Sequence, residues 1–204
     1  MNISNRTFGN KLFWINKRLF DMFVCLLLIP LLFITSIILL CINCFFNRGS
    51  LFFIQERMGK NCSVFSVVKF RTMVPVKEIT RKYDDPIEKD RITSFGKILR
   101  KSRIDELPQI LNVLKGEMSL IGPRPDYYTH ALEYLKVVKG YRERHIIRPG
   151  ITGLSQIRLG YAEGLEATAK KASVDNYYIQ NVNYSIEFKI IGNTILTIIR
   201  GMGK

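Results

Sequence analysis

From Met22 to Ile42 the chain runs for 21 residues without a charge, MFVCLLLIPLLFITSIILLCI. That length matches the apolar thickness of a bilayer. A secretory signal would carry a shorter apolar region and a small-residue cleavage site, which INCFFNRGS does not supply. A buried core helix of this length would need a polar face. The segment therefore predicts membrane insertion. Arg6, Lys11, Lys17 and Arg18 precede it with no acid before Asp21, and Arg48, Arg57 and Lys60 follow it with Glu56 the only acid. With both flanks basic, charge bias gives no clear direction. Pro30, near the middle, removes a backbone donor and tends to kink a helix. Two basic ends and a central kink fit a re-entrant hairpin; a tilted spanning helix is the alternative.

The 204 residues suffice for one ordinary domain with an appendage, divided here into a basic arm and membrane helix (1–46) and a catalytic domain (47–204). Lysine and arginine number 31 against 17 acids, a net charge of +14. Such a surface suits nucleic acid, an anionic membrane or a phosphorylated substrate, and composition does not choose among them. The apolar run places the basic surface beside a membrane. Cys25, Cys41, Cys44 and Cys62 form no secreted disulfide framework; Cys41-x-x-Cys44 has no second ligand pair and no nearby histidine, so these read as reduced thiols.

Beyond residue 50 the patterning is mixed. Alternation predicts a strand hairpin, Leu51–Gln55 and Val64–Phe70, turning at Gly59-Lys60-Asn61. Residues 75–91, polar and with two prolines, read as a surface loop. Ile104, Leu107, Ile110, Leu111 and Leu114 recur at helical spacing within 93–115, and Gly116 ends the run. Further helices are expected over 126–143 and 166–181, with a tight turn at 148–153 and an amphipathic last helix over 185–200 that suits a bilayer surface. The fold class is α+β.

Asp105-Glu106 has a plain reading: Ser102 with an acid three residues on matches a capping pattern, and acids stabilise a helix start by about 0.3–1 kcal/mol. Three features favour a reaction centre. Lys97, Arg100, Lys101 and Arg103 crowd the same turn, which would depress both carboxyls and keep them ionised. Helix-start amides suit a bound phosphate. The prolines of IGPRP would fix Arg124 as an anion clamp. A carboxylate among phosphate-binding groups can attack phosphorus. Two adjacent negative charges would resist that approach, so a divalent cation is expected to bridge them, magnesium first and manganese as a substitute. A membrane anchor beside such a centre implies a lipid substrate.

KRLFD, QERMG, KFRTM, GKILRKSRIDELPQILNVLKGEMSLIGPRP and RPGITGLSQ, in that order and spacing, resemble the bacterial sugar transferase family, the monotopic phosphoglycosyl transferases. The similarity runs from Lys17 to the C-terminus. It implies a monotopic membrane protein at the cytoplasmic face of the bacterial inner membrane, with an N-terminal re-entrant helix, a small β-hairpin and several partly interfacial helices. It implies transfer of a sugar phosphate from a UDP-sugar to undecaprenyl phosphate with release of UMP, the first membrane step of capsule, exopolysaccharide or O-antigen synthesis. By the same resemblance Asp105 is the nucleophile that takes the phosphosugar covalently. Glu106, with Asp105, binds magnesium and assists the lipid-phosphate attack. Lys69, Arg100, Arg124 and Arg148 bind substrate phosphate. Inner-membrane lipids, a second copy in a homodimer and downstream glycosyltransferases are the further partners it implies.

The sequence departs from the family pattern in places. Ile29-Pro30 stands where Ser-Pro is common, Arg103-Ile104 precedes the dyad where Ser-Leu is common, and TGLSQI replaces TGWAQV. Two other classes were weighed: a non-catalytic membrane scaffold, which the intact dyad speaks against, and a nucleic-acid-binding protein, for which no motif exists. His130 and His145 read as ordinary residues, and Asn5-Arg6-Thr7 as an unmodified glycosylation pattern.

Overall fold

The computed structural model describes residues 11–46, 49–76, 85, 88–160 and 164–201. The basic arm before Lys11, the Asn5 pattern and most of the expected 75–91 loop lie outside these.

Helix α1, Lys11–Phe46, runs for 36 residues and passes through Pro30. Past the proline, hydroxyls serve the backbone: Thr35 Oγ1 donates to the Leu31 and Leu32 carbonyls (2.7 and 3.0 Å), and Ser36 Oγ to that of Leu32 (2.7 Å). Phe13, Lys17, Asp21, Cys25, Leu32, Leu39 and Asn43 are buried. Their spacing by four and seven residues marks one helix stripe. Most of the other large apolar side chains are exposed, Phe23, Leu27 and Phe33 by more than 60% each. One stripe packs on the globular body and the remaining surface has no protein to cover it.

Strands β1 (Phe52–Met58) and β2 (Val64–Phe70) form the expected antiparallel hairpin, from Phe52 opposite Phe70 to Met58 opposite Val64. β1 is longer than its alternating pattern indicated. The connection is a 3-10 turn, Lys60–Cys62, with Asn61 and Cys62 at positive φ.

The single helix expected over 93–115 is three pieces. α2 spans Ser94–Lys101, capped by Thr93, whose hydroxyl accepts from the Gly96 amide (2.9 Å). A Cβ on Gly96 would stand 2.1 Å from the Thr72 carbonyl oxygen, so this glycine lets α2 press against the end of β2. Ser102 is not an N-cap: it closes α2, donating back to the Ile98 and Leu99 carbonyls. Arg103 then adopts a left-handed conformation (φ 56°), a 3-10 helix covers Ile104–Gln109, and α3 covers Ile110–Lys115. Pro108, which lacks an N–H, sits inside the 3-10 stretch. Ile104, Leu107, Ile110 and Leu114 still pack on one core across the change of helix type, whereas Leu111 is exposed.

Strand β3 (Ser119–Ile121) pairs in parallel with β4 (Gly150–Thr152), so the expected tight turn at 148–153 is in part a strand. A Cβ on Gly150 would meet the Gly122 amide nitrogen at 2.0 Å; glycine there permits the close approach. Between them α4 spans Tyr128–Val137, shorter than expected, because Gly140 (φ 79°) turns the chain into a 3-10 segment at Glu143–His145. Helices α5 (Leu154–Leu159), α6 (Gly164–Asn181) and α7 (Tyr184–Ile199) complete the fold. α7 buries Ile190 against Tyr178 and Ile179 and leaves Phe188, Ile195 and Ile199 exposed. The architecture is α+β: two small sheets wrapped by helices, with a long apolar helix at the N-terminal side.

Candidate active site

Asp105 and Glu106 open the 3-10 helix, facing β2. Holding Arg103 in the left-handed region sharpens the exit from α2, so both consecutive carboxylates turn inward, 7% and 6% exposed. A cleft of about 700 Å³ is lined by both acids together with Lys69, Arg100 and Arg124. The dyad and three of the four phosphate-binding candidates thus meet in one place.

Glu106 is enclosed by cations. Lys69 Nζ stands 3.1 Å from its Oε1, Arg103 Nη1 3.2 Å from its Oε2, and Arg124 Nη2 donates to Oε1. Burial alone would raise this carboxyl, but Arg124 and Lys69 outweigh it and hold the group well below the usual carboxylate range. Asp105 behaves differently. Among the described residues its carboxylate makes no hydrogen bond or ion pair, and burial pushes it up to about 6 against the opposing pull of Lys69. The expectation that clustered cations depress both carboxyls therefore holds for Glu106 alone. The reason is geometric: Lys97 and Lys101 point to solvent, and the groups that act on Glu106 come mainly from β2 and the PRP turn.

Arg100 donates from Nε to Thr72 Oγ1 (2.9 Å), which leaves its terminal nitrogens toward the cleft. Lys69 is partly buried on the cleft wall, and that burial lowers its pKa despite Glu106. Arg124 is held from behind: Arg144 Nη2 donates to its backbone carbonyl (2.8 Å). Arg144 has a fully buried side chain, donates to Asp126 and lies 2.8 Å from Asp175. Lys171 and Tyr141 also donate to Asp126. This network was not visible in the sequence, since its members sit on three separate segments with no shared motif. The cleft wall also includes Thr152, hydrogen-bonded to Thr194 (2.8 Å), and Ser155 and Gln156, whose buried Oγ and Oε1 have no hydrogen-bond partner among the described residues. His130, read as ordinary, also lines the cleft, edge-on to Tyr127. His145 is buried at the network's margin, where burial and Arg144 push it down to about 3.

Arg148 is not brought to this cleft. It lies by a second cavity at the foot of α1, its Nε donating to the Gly116 carbonyl (2.7 Å).

The donor set admits a magnesium ion. A carboxylate offers about four acceptor sites, and Glu106 accepts three bonds. One site on Glu106 and the whole of Asp105 are left. Among the described residues no group of three or more metal-ligating side chains exists, so the remaining ligands would be substrate phosphates and water.

Similarity to known proteins follows the same residues. The profile of the family described as bacterial sugar transferase matches residues 12–201. A UDP-N-acetylgalactosamine-undecaprenyl-phosphate N-acetylgalactosaminephosphotransferase of Aeromonas hydrophila is 39% identical over 193 residues, 92% of this chain and 44% of that protein. A UDP-glucose:undecaprenyl-phosphate glucose-1-phosphate transferase of Klebsiella pneumoniae is 35% identical over 187 residues, 91% of this chain and 40% of that protein. This chain thus spans less than half the length of either. The exopolysaccharide production protein PSS of Rhizobium leguminosarum bv. phaseoli is 37% identical over 204 residues, 92% of this chain and 97% of that protein. With a profile match across nearly its whole length, this chain belongs to the bacterial sugar transferase family.

Proposed function

We propose that this protein is a phosphoglycosyl transferase that moves a sugar-1-phosphate from a UDP-sugar to undecaprenyl phosphate and releases UMP. The observation that carries this reading is the unlike pair of neighbours: an unpartnered buried carboxyl at Asp105 beside an ion-locked carboxylate at Glu106, in a cleft lined with cations. Relatives named for this reaction support it.

In the proposed first step an Asp105 carboxylate oxygen attacks the phosphorus that bears the sugar. The bond from that phosphorus to the bridging oxygen breaks, UMP leaves with the electron pair, and an aspartyl phosphosugar remains. In the second step a phosphate oxygen of undecaprenyl phosphate attacks the same phosphorus, and the Asp105 carboxylate is restored as leaving group. Burial raises the basicity of Asp105, which favours its attack, while at about 6 it remains a weak enough base to leave in the second step. Lys69, Arg100 and Arg124 offset the diphosphate charge as it enters and as UMP departs. Glu106 keeps Lys69 and Arg124 fixed while substrates exchange. Magnesium held by the dyad would supply further charge neutralisation at the diphosphate.

The same reading places α1 in the cytoplasmic face of a bacterial inner membrane without crossing it. Both ends of α1 are tied to one globular body: Lys17 Nζ lies 2.5 Å from Glu187 Oε2 at one end, and Arg71 Nη2, just past β2, donates to Asn43 Oδ1 (3.5 Å) at the other. A helix spanning the bilayer would separate those ends by about 30 Å of hydrocarbon. A non-catalytic scaffold is the rival reading. Incubating the purified protein with a panel of UDP-sugars and undecaprenyl phosphate, and measuring UMP, tests both; no UMP from any donor favours the scaffold.

A further inference from the structure

The cavity beside Arg148 has a volume of about 380 Å³ and shares no lining residue with the catalytic cleft. It lies between the first turns of α1, strand β3 and the residues that lead into β4. Two guanidinium groups converge there. Arg18 donates from Nη1 to the Val113 carbonyl (2.8 Å) and from Nη2 to the Leu114 carbonyl (3.3 Å), and Arg148 donates to that of Gly116. Neither arginine has a carboxylate partner among the described residues. Capping alone does not require both, because backbone bonds from Gly116 and Glu117 already close α3. Lys11 and Lys60 line the same space. The acids nearby are committed: Glu187 pairs with Lys17, and Asp21 accepts from Ser119 Oγ (2.7 Å) and the Leu120 amide (3.2 Å). A guanidinium has five donors, so Arg18 and Arg148 both keep donors for a ligand.

The walls of the cavity are apolar as well as basic. Trp14 and Ile15 line it, and Leu12, Ile15 and Leu19 are all more than half exposed on the same helix. A ligand that joins an anionic head to an apolar tail satisfies both surfaces; free phosphate satisfies only one.

We propose that this cavity is a headgroup site for an anionic phospholipid, with the phosphodiester between Arg18 and Arg148 and the acyl chains along the exposed side of α1. The site is separate from the one that handles the reacting phosphates. Its membrane setting rests on the insertion of α1 argued above, but headgroup binding can be measured without a bilayer.

Trp14 is the chain's single tryptophan and reports on this cavity directly. The full chain in detergent is titrated with short-chain phosphatidylglycerol while Trp14 emission is followed, with short-chain phosphatidylcholine and inorganic phosphate as separate arms. Phosphatidylglycerol is expected to give a saturable change with an apparent affinity at least tenfold tighter than either other arm. Arg148→Gln should weaken it about fivefold and Arg18→Gln with Arg148→Gln about 25-fold, as expected when each cation contributes about equally. Arg148→Lys should recover most of the loss, and Asp105→Asn should bind like the parent. Arg148 is exposed, so its replacement leaves the core intact. A response to inorganic phosphate as tight as to phosphatidylglycerol overturns the lipid assignment. An absent or non-saturable response, or one unaffected by both arginine changes, overturns the site. Loss of the signal in Asp105→Asn would assign it to the catalytic cleft instead. None of these results depends on UMP release, so failure here and failure of the proposed reaction are told apart.

Discussion

Asp105 and Glu106 are adjacent and almost equally buried, yet their carboxyls are driven in opposite directions, Asp105 up to about 6 and Glu106 well below its ordinary value. The difference lies in partners. Glu106 receives Lys69, Arg103 and Arg124 directly, while Asp105 receives the burial without a direct contact. Environments that separate two neighbouring carboxyls in this way fit a division of labour between attack and support.

Asp105→Asn is expected to abolish UMP release and at the same time stabilise the fold. Raising this carboxyl from 3.8 to about 6 costs roughly 2–3 kcal/mol at neutral pH, which an amide would recover. Thermal unfolding in detergent should rise on the order of 5 °C. Intact mass after incubation with donor alone should show the phosphosugar adduct on the parent and none on the variant.

The pH dependence carries a sign that can be checked. Below pH 3.8 Asp105 is protonated in both folded and unfolded chains and brings no penalty. As pH climbs to about 6 the unfolded chain ionises first, so the folded chain loses stability relative to Asp105→Asn, and above that the difference levels off. Adduct formation should run the other way, rising through a midpoint near pH 6 as the nucleophile ionises. A difference in melting temperature that shrinks as pH rises would contradict the assignment.

Much of this fold could be read before any coordinates, and the failures have physical causes. Alternation and a Gly-Lys-Asn turn are local signals, so the β1–β2 hairpin was legible. The break at Arg103 was not: apolar residues keep their spacing across a change from α to 3-10 helix, and a left-handed arginine carries no signature. β4 escaped because Gly150-Ile151-Thr152, set between Pro149 and Gly153, looks like a turn until β3, far away in sequence, pairs with it. At the site, Lys69, Arg100, Arg124 and the dyad could be named from motifs. The same logic names Arg148, yet its RPG turn is pinned to Gly116 beside a different cavity. The Asp126–Arg144–Asp175 network lay beyond reach, because only the fold makes neighbours of those segments.

Glu106→Gln should be costly where Asp105→Asn is not. It removes the counter-ion shared by Lys69, Arg103 and Arg124, and an uncompensated buried pair typically costs about 3–5 kcal/mol. Turnover should vanish, while some adduct on Asp105 survives because the nucleophile is untouched. Full loss of adduct in a protein whose melting is unchanged would assign Glu106 to the first step instead.

Chelation should remove activity, and magnesium or manganese should restore it. Three cations are already engaged by Glu106, so an entering diphosphate meets at Asp105 a carboxylate with no direct cation partner among the described residues. Equilibrium dialysis of a UDP-sugar gives a readout independent of turnover: retention by the parent should fall in excess EDTA and recover with magnesium. Neither His130→Ala nor His145→Ala should alter that dependence. UMP release at full rate in EDTA would rule the metal out.

The topology of α1 yields the final prediction. Its buried stripe runs from Phe13 to Asn43, and the body that covers the stripe also bears the charged cleft. Were α1 to cross the bilayer, either that body would follow it into hydrocarbon, or the Lys17–Glu187 pair and the Arg71–Asn43 bond could not both form. Burying charge at such depth costs several kcal/mol per group, so the helix is expected to stay on one side, with Phe23, Leu27 and Phe33 facing lipid. Cysteines placed at Lys11 and Ser50, after removal of the native thiols, should both resist an impermeant thiol reagent in intact spheroplasts and both react once the membrane is opened. Reaction at position 11 alone in intact cells would show a spanning helix. Pro30→Ala tests what holds the shape. Because α1 is helical through Pro30 and fastened at both ends, this change should leave both positions protected, whereas Lys17→Met with Asn43→Leu, which releases the ends, should expose part of the position-11 population.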